Sequence, residues 1–291
     1  MSLGDFTLLG KIAVITGVGS GINLSFSQHA VNLGARVIIA DLKLTEDGEK
    51  FPRETDSKVA VFAKCDVTKR ADLENLVLVS VDKFQDTPDV WVAGAGIFEP
   101  SWSNFWDDTE EDGYALIDIN VNHPIKFSRI AIRTLLGNGK KGVILCVSSL
   151  AGFQGTLSVP LYCASKHAVV GFVRSMAELD RLEGIKAVAI APGVVRTPLW
   201  TDHPDKMKQF GYSMENTIPP EDIAKTMIEA VTSGSIPGGY SVSISTKGTA
   251  LLGTWNIAAP KDEGTTVSPT ILEMNYAPVI ATMNKERAKS R

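Results

Sequence analysis

Short runs of β-branched and aliphatic residues recur along the chain, separated by stretches with helical spacing, and this alternation carries the first reading of the fold. The runs place strands at about 11–16, 36–41, 59–64, 89–93, 142–148, 185–191 and 238–244. Most are apolar at every position rather than at every second one, as in strands covered by helices on both faces, the setting of a parallel sheet. The pattern predicts one doubly wound α/β domain over residues 1–245, with a seven-stranded, mostly parallel sheet and helices on both faces. No repeat or biased tract competes with it. Beyond Ser245 the alternation lapses into Leu251-Leu252-Gly253-Thr254-Trp255 and a polar end carrying Lys285, Arg287, Lys289 and Arg291. Residues 246–291 are accordingly expected to form an extension that packs on the domain or on a neighbouring subunit and frays at its end.

Composition narrows the class. At 291 residues, 44% hydrophobic and 21% charged, the chain has enough apolar matter for one large core. A net charge of −4 without a basic stripe gives no footprint for nucleic acid. Three cysteines, Cys65, Cys146 and Cys163, are odd in number and unpatterned, which suits a reducing compartment. The histidines His29, His123, His167 and His203 lack ligand spacing with one another or with the cysteines, so no metal site is expected. No apolar stretch is long enough to span a membrane, and the first strand starts by residue 11, which leaves the cytoplasm as the expected location.

Candidate chemistry gathers in two segments. Lys11-Ile12-Ala13-Val14-Ile15-Thr16 runs into Gly17-Val18-Gly19-Ser20-Gly21 and then into an amphipathic stretch from Ile22: strand, glycine turn, helix. Such a turn lets backbone amides and the positive helix end approach a pyrophosphate. The spacing is not that of GxGxxG, because Ile22 and Leu24 fall where the third glycine belongs. The next strand ends at Asp41, twenty residues past Gly21, where a carboxylate can accept both adenosine ribose hydroxyls and repel a 2′-phosphate; Lys43 lies two residues on. In the second segment Tyr162 and Lys166 share a helix face, with Ser149 thirteen residues before the tyrosine at the end of a strand. A neighbouring ammonium can lower the phenol from about 10 toward about 7, which takes roughly 4 kcal/mol, while the serine hydroxyl donates to a substrate oxygen.

Thr16-Gly17-x-x-x-Gly21-x-Asn23, Asn120, Ser149, Tyr162-x-x-x-Lys166 and Pro192-Gly193-Val194-Val195-Arg196-Thr197 occur in the order and spacing of the short-chain dehydrogenase/reductase family, which the chain resembles over residues 9–245. The resemblance implies a Rossmann-type fold and a catalytic set of Asn120, Ser149, Tyr162 and Lys166, with Asn120 maintaining a proton relay. It implies nicotinamide cofactor contacts from Gly17, Gly19, Ser20, Gly21, Ile22, Asn23, Asp41, Leu42, Asp66, Val67, Ala93, Gly94, Ala95, Tyr162, Lys166, Pro192, Gly193, Val195 and Thr197. Asp66 resembles the residue that binds the adenine ring, though it equally suits a helix cap. Ser148–Gly152 with Tyr162–His167 is especially similar to the NAD-dependent hydroxyprostaglandin dehydrogenase branch, whose members oxidise lipid secondary alcohols; His167 itself points off the catalytic face. Two positions depart from the pattern. Ala93-Gly94-Ala95-Gly96 stands where the family has Asn-Asn-Ala-Gly, and Asn23 replaces a glycine, where it either bonds a phosphate oxygen or crowds the site.

Two irregular stretches are candidates for substrate choice: Phe98–Trp106, and a lid over about 194–217 with Leu199, Trp200, His203, Met207, Phe210, Tyr212 and Met214. Their rings either suit an apolar substrate or pack the loops onto core or partner. The acidic run Asp107, Asp108, Glu110, Glu111 and Asp112 reads as a solvated helix start. The expected protein is an oxidoreductase moving hydride between NAD and a hydrophobic secondary alcohol or ketone, assembled as a homodimer or homotetramer as the family implies. The alternatives are an NADPH-dependent ketone reductase, or a non-redox isomerase, cyclase or dinucleotide-bound sensor on the same fold.

Overall fold

The computed structural model describes residues 2–253 and 269–288. Strands and helices alternate as the pattern predicts: β1 (Ile12–Thr16), α1 (Gly21–Asn32), β2 (Arg36–Asp41), α2 (Glu46–Glu54), β3 (Ala60–Lys64), α3 (Arg70–Phe84) and β4 (Val90–Ala93). A long irregular loop then reaches α4 (Ala115–Ile117), which passes through a π-helical turn, Asp118–Asn122, into α5 (His123–Gly137). β5 (Gly142–Val147), α6 (Pro160–Ser175), α7 (Ala177–Glu183) and β6 (Ile185–Pro192) follow. The remainder comprises α8 (Pro198–Thr201), α9 (Pro204–Gln209), α10 (Pro220–Thr232), β7 (Ser241–Ser245), β8 (Gly248–Leu252) and α11 (Pro269–Ala288).

The strands form one sheet in the order β3-β2-β1-β4-β5-β6-β7-β8, parallel except for β8. Alternate residues of each strand feed opposite faces. Ala13, Ile15, Val37, Ile39, Val143 and Leu145 pack with α1 and α10 residues such as Phe26, Ile223 and Met227. Ile12, Val14, Ile38, Ile144 and Cys146 pack with Leu76, Phe127, Leu135 and Val173 from α3, α5 and α6. Burial on both faces explains the unbroken apolar runs.

The strand count corrects the sequence reading from seven to eight, and the sheet continues past residue 245. β8 folds back on β7, pairing Gly248 with Ser245, and Gly248 takes a φ of +114°, which favours glycine. Being an edge strand largely exposed to solvent, it carries no apolar alternation for a pattern to reveal. The acidic run also differs from its expectation: Asp107–Asp112 precede the helix in a loop, where Glu110 Oε1 accepts the amide of Ala115 at 2.8 Å and Asp108 accepts the phenol of Tyr114 at 2.6 Å. α11 packs on α5, with Met283 buried in the second core cluster and ion pairs Arg129–Glu286 and Glu183–Arg287 along its flank. No helix among the described residues is long and apolar enough to cross a membrane.

Candidate active site

β1 and β4 are neighbours at the centre of the sheet, and the chain proceeds outward from them in opposite directions. The loops at their carboxyl ends therefore part and leave a crevice, the place where open α/β sheets bind ligands. Gly17 has a φ of +73°, and a Cβ there would lie 2.5 Å from the Cα of Ala95 across the crevice. Gly21, at φ +64°, leaves no room for a side chain beside Thr197, whose Cγ2 would be 2.8 Å away. The Gly19 amide donates to Asp41 Oδ2 at 2.7 Å. α1 has no acidic residue in its first turn, and Ser20 makes no side-chain cap bond, so the opening amides of a 12-residue helix are free donors beside the crevice. That is the donor set a pyrophosphate needs, and the residues present fit a dinucleotide. Ile22 turns inward against the core.

The Asn23 side chain is buried between the two loops. Its Nδ2 donates to the carbonyls of Gly17 at 2.9 Å and Gly94 at 3.0 Å, joining the two loops that flank the crevice. A Cβ on Gly94 would lie 2.3 Å from Asn23 Oδ1, so the glycine at 94 is the space that the asparagine at 23 fills. The departures at 23 and 94 are one spatial exchange. Thr16 completes the floor: its hydroxyl accepts the Gly94 amide at 3.1 Å and sits 3.1 Å from Nε2 of His123. His123, left without a role by spacing alone, is buried, and burial lowers its pKa to about 4.

The four catalytic candidates converge at the carboxyl end of β5. Ser149 lies two residues past the strand, donates to the Pro192 carbonyl at 3.4 Å and is hydrogen-bonded to the phenol of Tyr162. Lys166, one turn along α6 from Tyr162, is buried; its ammonium donates to the Val147 carbonyl at 3.0 Å and lies 5.4 Å from the tyrosine ring centroid. Asn120 sits in the π-helical turn, where Oδ1 accepts the Ile97 amide at 2.9 Å and Nδ2 donates to the Ile97 carbonyl at 2.9 Å. Gly96 separates Asn120 from Lys166, since a Cβ there would stand 3.3 Å from the one and 3.6 Å from the other. The phenol differs from expectation. Burial pushes Tyr162 up to about 12, with the Ser149 hydrogen bond acting against it, and burial lowers Lys166 to about 8. Loss of water around both groups outweighs the attraction of an ammonium that is bonded to a carbonyl instead of to the phenol.

Around the phenol stands a third apolar cluster that includes Phe98, Val159, Cys163 and Trp200, with Met207, Phe210 and Tyr212 packed against it. Phe98 meets the Tyr162 ring edge-on at 4.6 Å between centroids and lies 4.8 Å from Trp200 and 5.4 Å from Phe210. The loop after β4 and the segment 194–217 thus meet at Tyr162.

The remaining candidate positions lie at or just past the carboxyl ends of β2, β3, β4 and β6. Val195 pairs with Ile218, and Gly193 bonds the Ile244 carbonyl at 2.8 Å, which holds Pro192–Thr197 over the β5 end. Leu42 is exposed beyond β2. Asp66 caps no helix: its Oδ1 accepts the amide and hydroxyl of Thr68 at 3.1 and 2.7 Å, and these bonds hold its carboxyl below the usual range. Val67 packs on the core beside it, Ala93 is buried, and Ala95 bonds Thr16 at 3.4 Å. His167 bonds the Cys163 carbonyl on the outer side of α6. Among the described residues no group of three or more His, Cys, Asp or Glu side chains could hold a metal ion.

A doubly wound sheet with a phosphate-type glycine turn and a Ser–Tyr–Lys–Asn constellation at its switch point defines a nucleotide-binding oxidoreductase fold. The short chain dehydrogenase model matches residues 11–208, and the chain belongs to that family. It is 35% identical to galactitol 2-dehydrogenase of Agrobacterium fabrum, over 65% of this chain and 72% of that one. It is 27% identical to 15-hydroxyprostaglandin dehydrogenase [NAD(+)] of Rattus norvegicus, over 82% and 92%. Among solved structures, a 3-ketoacyl-(acyl-carrier-protein) reductase from Brucella melitensis complexed with NADH superposes with a TM-score of 0.71 at 26% identity, covering 82% of this chain and 98% of that one.

Proposed function

We propose that this oxidoreductase moves a hydride between NAD(H) and an apolar secondary alcohol or its ketone. The observation that carries the reading is the convergence of the Ser149 hydroxyl and the Tyr162 phenol under an aromatic roof, which matches a hydroxyl or carbonyl set in an apolar body. The cofactor, when bound, supplies the site that gives or accepts hydride. Gly17–Asn23 would take the pyrophosphate side, Asp41 the adenosine ribose, Leu42, Asp66 and Val67 the adenine, and Ala93–Ala95 with Pro192–Thr197 the nicotinamide end. Asp41 favours NAD, and α2 adds Glu46, Asp47 and Glu49 in its first turn, next to the point where Gly48 packs on the Gly19 carbonyl. A 2′-phosphate there would meet like charge. The name of one relative, 15-hydroxyprostaglandin dehydrogenase [NAD(+)], supports both halves of the reading, while that of galactitol 2-dehydrogenase supports dehydrogenation of an alcohol but not an apolar one.

At neutral pH the phenol keeps its proton, so Tyr162 donates to a carbonyl oxygen in the reductive direction while Ser149 holds that oxygen. In the oxidative direction, ionising a phenol at about 12 costs about 7 kcal/mol at pH 7. Lys166 shares the helix face, and offsetting that cost would require its ammonium to leave the Val147 carbonyl and approach the phenol. Asn120 ties the loop after β4 to Ser165 of α6, with Nδ2 and Oγ 3.2 Å apart, and keeps the relay side of the pocket in register. The reading carries with it a cytoplasmic location, supported by three free buried cysteines, and association as a homodimer or homotetramer.

Fluorescence titration with NADH and with NADPH tests the cofactor, and a panel of 2-octanol, 1-phenylethanol and galactitol with NAD tests the substrate class. Preference for NADH, turnover of the apolar alcohols and loss of turnover in Tyr162→Phe with NADH binding retained are expected. Preference for NADPH, or substantial turnover by Tyr162→Phe, would overturn the corresponding assignment.

A further inference from the structure

The helix that carries Tyr162 and Lys166 opens without a cap of its own. α6 begins at Pro160, and Val159 before it makes no side-chain bond to the first turn. The first amides of a helix have no partner inside it and must find one elsewhere. Glu99, from the loop after β4, supplies it. Its Oε2 accepts the amide of Tyr162 itself at 3.0 Å, and its Oε1 accepts the amide of Phe105 at 3.3 Å. Glu99 is 0% exposed, the only buried glutamate among the described residues, and its backbone sits at φ +39°, a left-handed conformation uncommon for a side chain of this size. A buried carboxylate in strained backbone persists where its surroundings fix it, and such positions gather at functional sites.

The same loop touches Tyr162 twice, through the Glu99 carboxylate at its amide and through Phe98 at its ring. From the lid, Lys206 of α9 donates its ammonium to the main-chain carbonyls of Phe98 and Glu99 and stands over the Phe98 ring, 4.7 Å from its centroid. Burial lowers the Lys206 pKa, as an enclosed contact requires. Three segments distant in sequence are thus joined at one point next to the phenol.

We propose that Glu99 is a positioning residue for Tyr162, and that Lys206 is the latch through which the lid, closing over substrate, holds the Phe98–Glu99 turn against the catalytic helix. The proposal rests on the reading of Tyr162 as the proton-transfer residue. It assigns Glu99 no proton of the reaction: the carboxylate orients the backbone and Phe98 the ring, so that the phenol is held where Ser149 already bonds it.

The test compares Glu99→Ala, Glu99→Gln and Lys206→Met by turnover of 1-phenylethanol with NAD, by NADH fluorescence titration, and by amide hydrogen exchange of the segment 160–166. Glu99→Ala is expected to lower kcat roughly ten- to hundredfold, the size of effect a displaced reacting group produces. NADH affinity should be unchanged and exchange faster at 160–166. Glu99→Gln keeps one oxygen to accept the Tyr162 N–H but turns its NH2 toward the Phe105 N–H, so it should recover part of the rate. Lys206→Met should raise KM for the alcohol more than it lowers kcat. Wild-type kcat and unchanged exchange in Glu99→Ala would overturn the proposal. So would a loss of rate that Glu99→Gln fails to rescue, or one matched by an equal loss of NADH affinity. If the wild-type enzyme turns over no alcohol, the reading of the function fails; the exchange comparison still decides whether Glu99 holds the start of α6.

Discussion

Asn23 shows how a single side chain can be misjudged when its neighbours in space are unknown. In sequence it is a bulky residue where a glycine is usual, and Gly94 is an absence where an asparagine is usual; in the fold each makes room for the other. Removing the amide leaves two partly buried carbonyls, those of Gly17 and Gly94, without their donor, together at about 1–3 kcal/mol. Placing asparagine at 94 drives its Cβ into the existing amide. Each single change, Asn23→Gly or Gly94→Asn, is therefore expected to destabilise the protein and weaken NADH binding, while the double change recovers part of both. The coupling should be about 1–3 kcal/mol in a urea-melt cycle. Additive losses would show that the two sites do not share one space. Tyr162 teaches the complementary lesson: the lysine at the right spacing was legible, but the direction of the phenol shift depends on burial, which spacing does not report.

Between elements, the ties that shape the site are polar and long in sequence. The π-helical turn before α5 presents Asn120 to the loop after β4, and the first residue of α5, His123, reaches Thr16 at the end of β1. His123 Nδ1 faces the Ile119 carbonyl at 3.2 Å, an arrangement that suits a neutral ring donating from Nδ1. Burial holds the folded-state pKa at about 4, below an unfolded value near 6.5. Between those values the unfolded chain binds a proton that the folded one does not, so stability falls as pH drops from 6.5 to 4. The limit for this residue is about 3 kcal/mol. Chemical unfolding at pH 4.5 and pH 7 should show His123→Gln losing less stability on acidification than the parent protein; an identical loss would mean that the histidine takes up its proton without unfolding cost. The strand–turn–helix of β1 and α1 was legible because local pattern and glycine placement agree, whereas β8 was not, because an exposed edge strand needs no apolar periodicity.

Across the whole molecule, α11 brings Met283 and Ile280 against the second core cluster and pairs Glu286 with Arg129 of α5. Assembly through the helices bearing Asn120 and Tyr162, as the family resemblance implies, must share the surface of α5 with this helix. A chain ending at Gly253 is expected to show a larger mass by light scattering than the full chain at equal concentration; equal masses would show that α11 does not limit association. The sequence by itself indicated seven of the eight strands, the glycine turn and the spacing of Ser149, Tyr162 and Lys166, because these rest on short-range periodicity and fixed spacing that survive without knowledge of neighbours, whereas Asn120 was marked only by the family resemblance. Tertiary structure alone decided that Asn23 fills the place of Gly94, that the phenol is raised rather than lowered, and that Glu99 and Lys206 meet beside it. Those outcomes depend on which groups lose water and which backbones approach, and both are set only when segments far apart in the chain pack together.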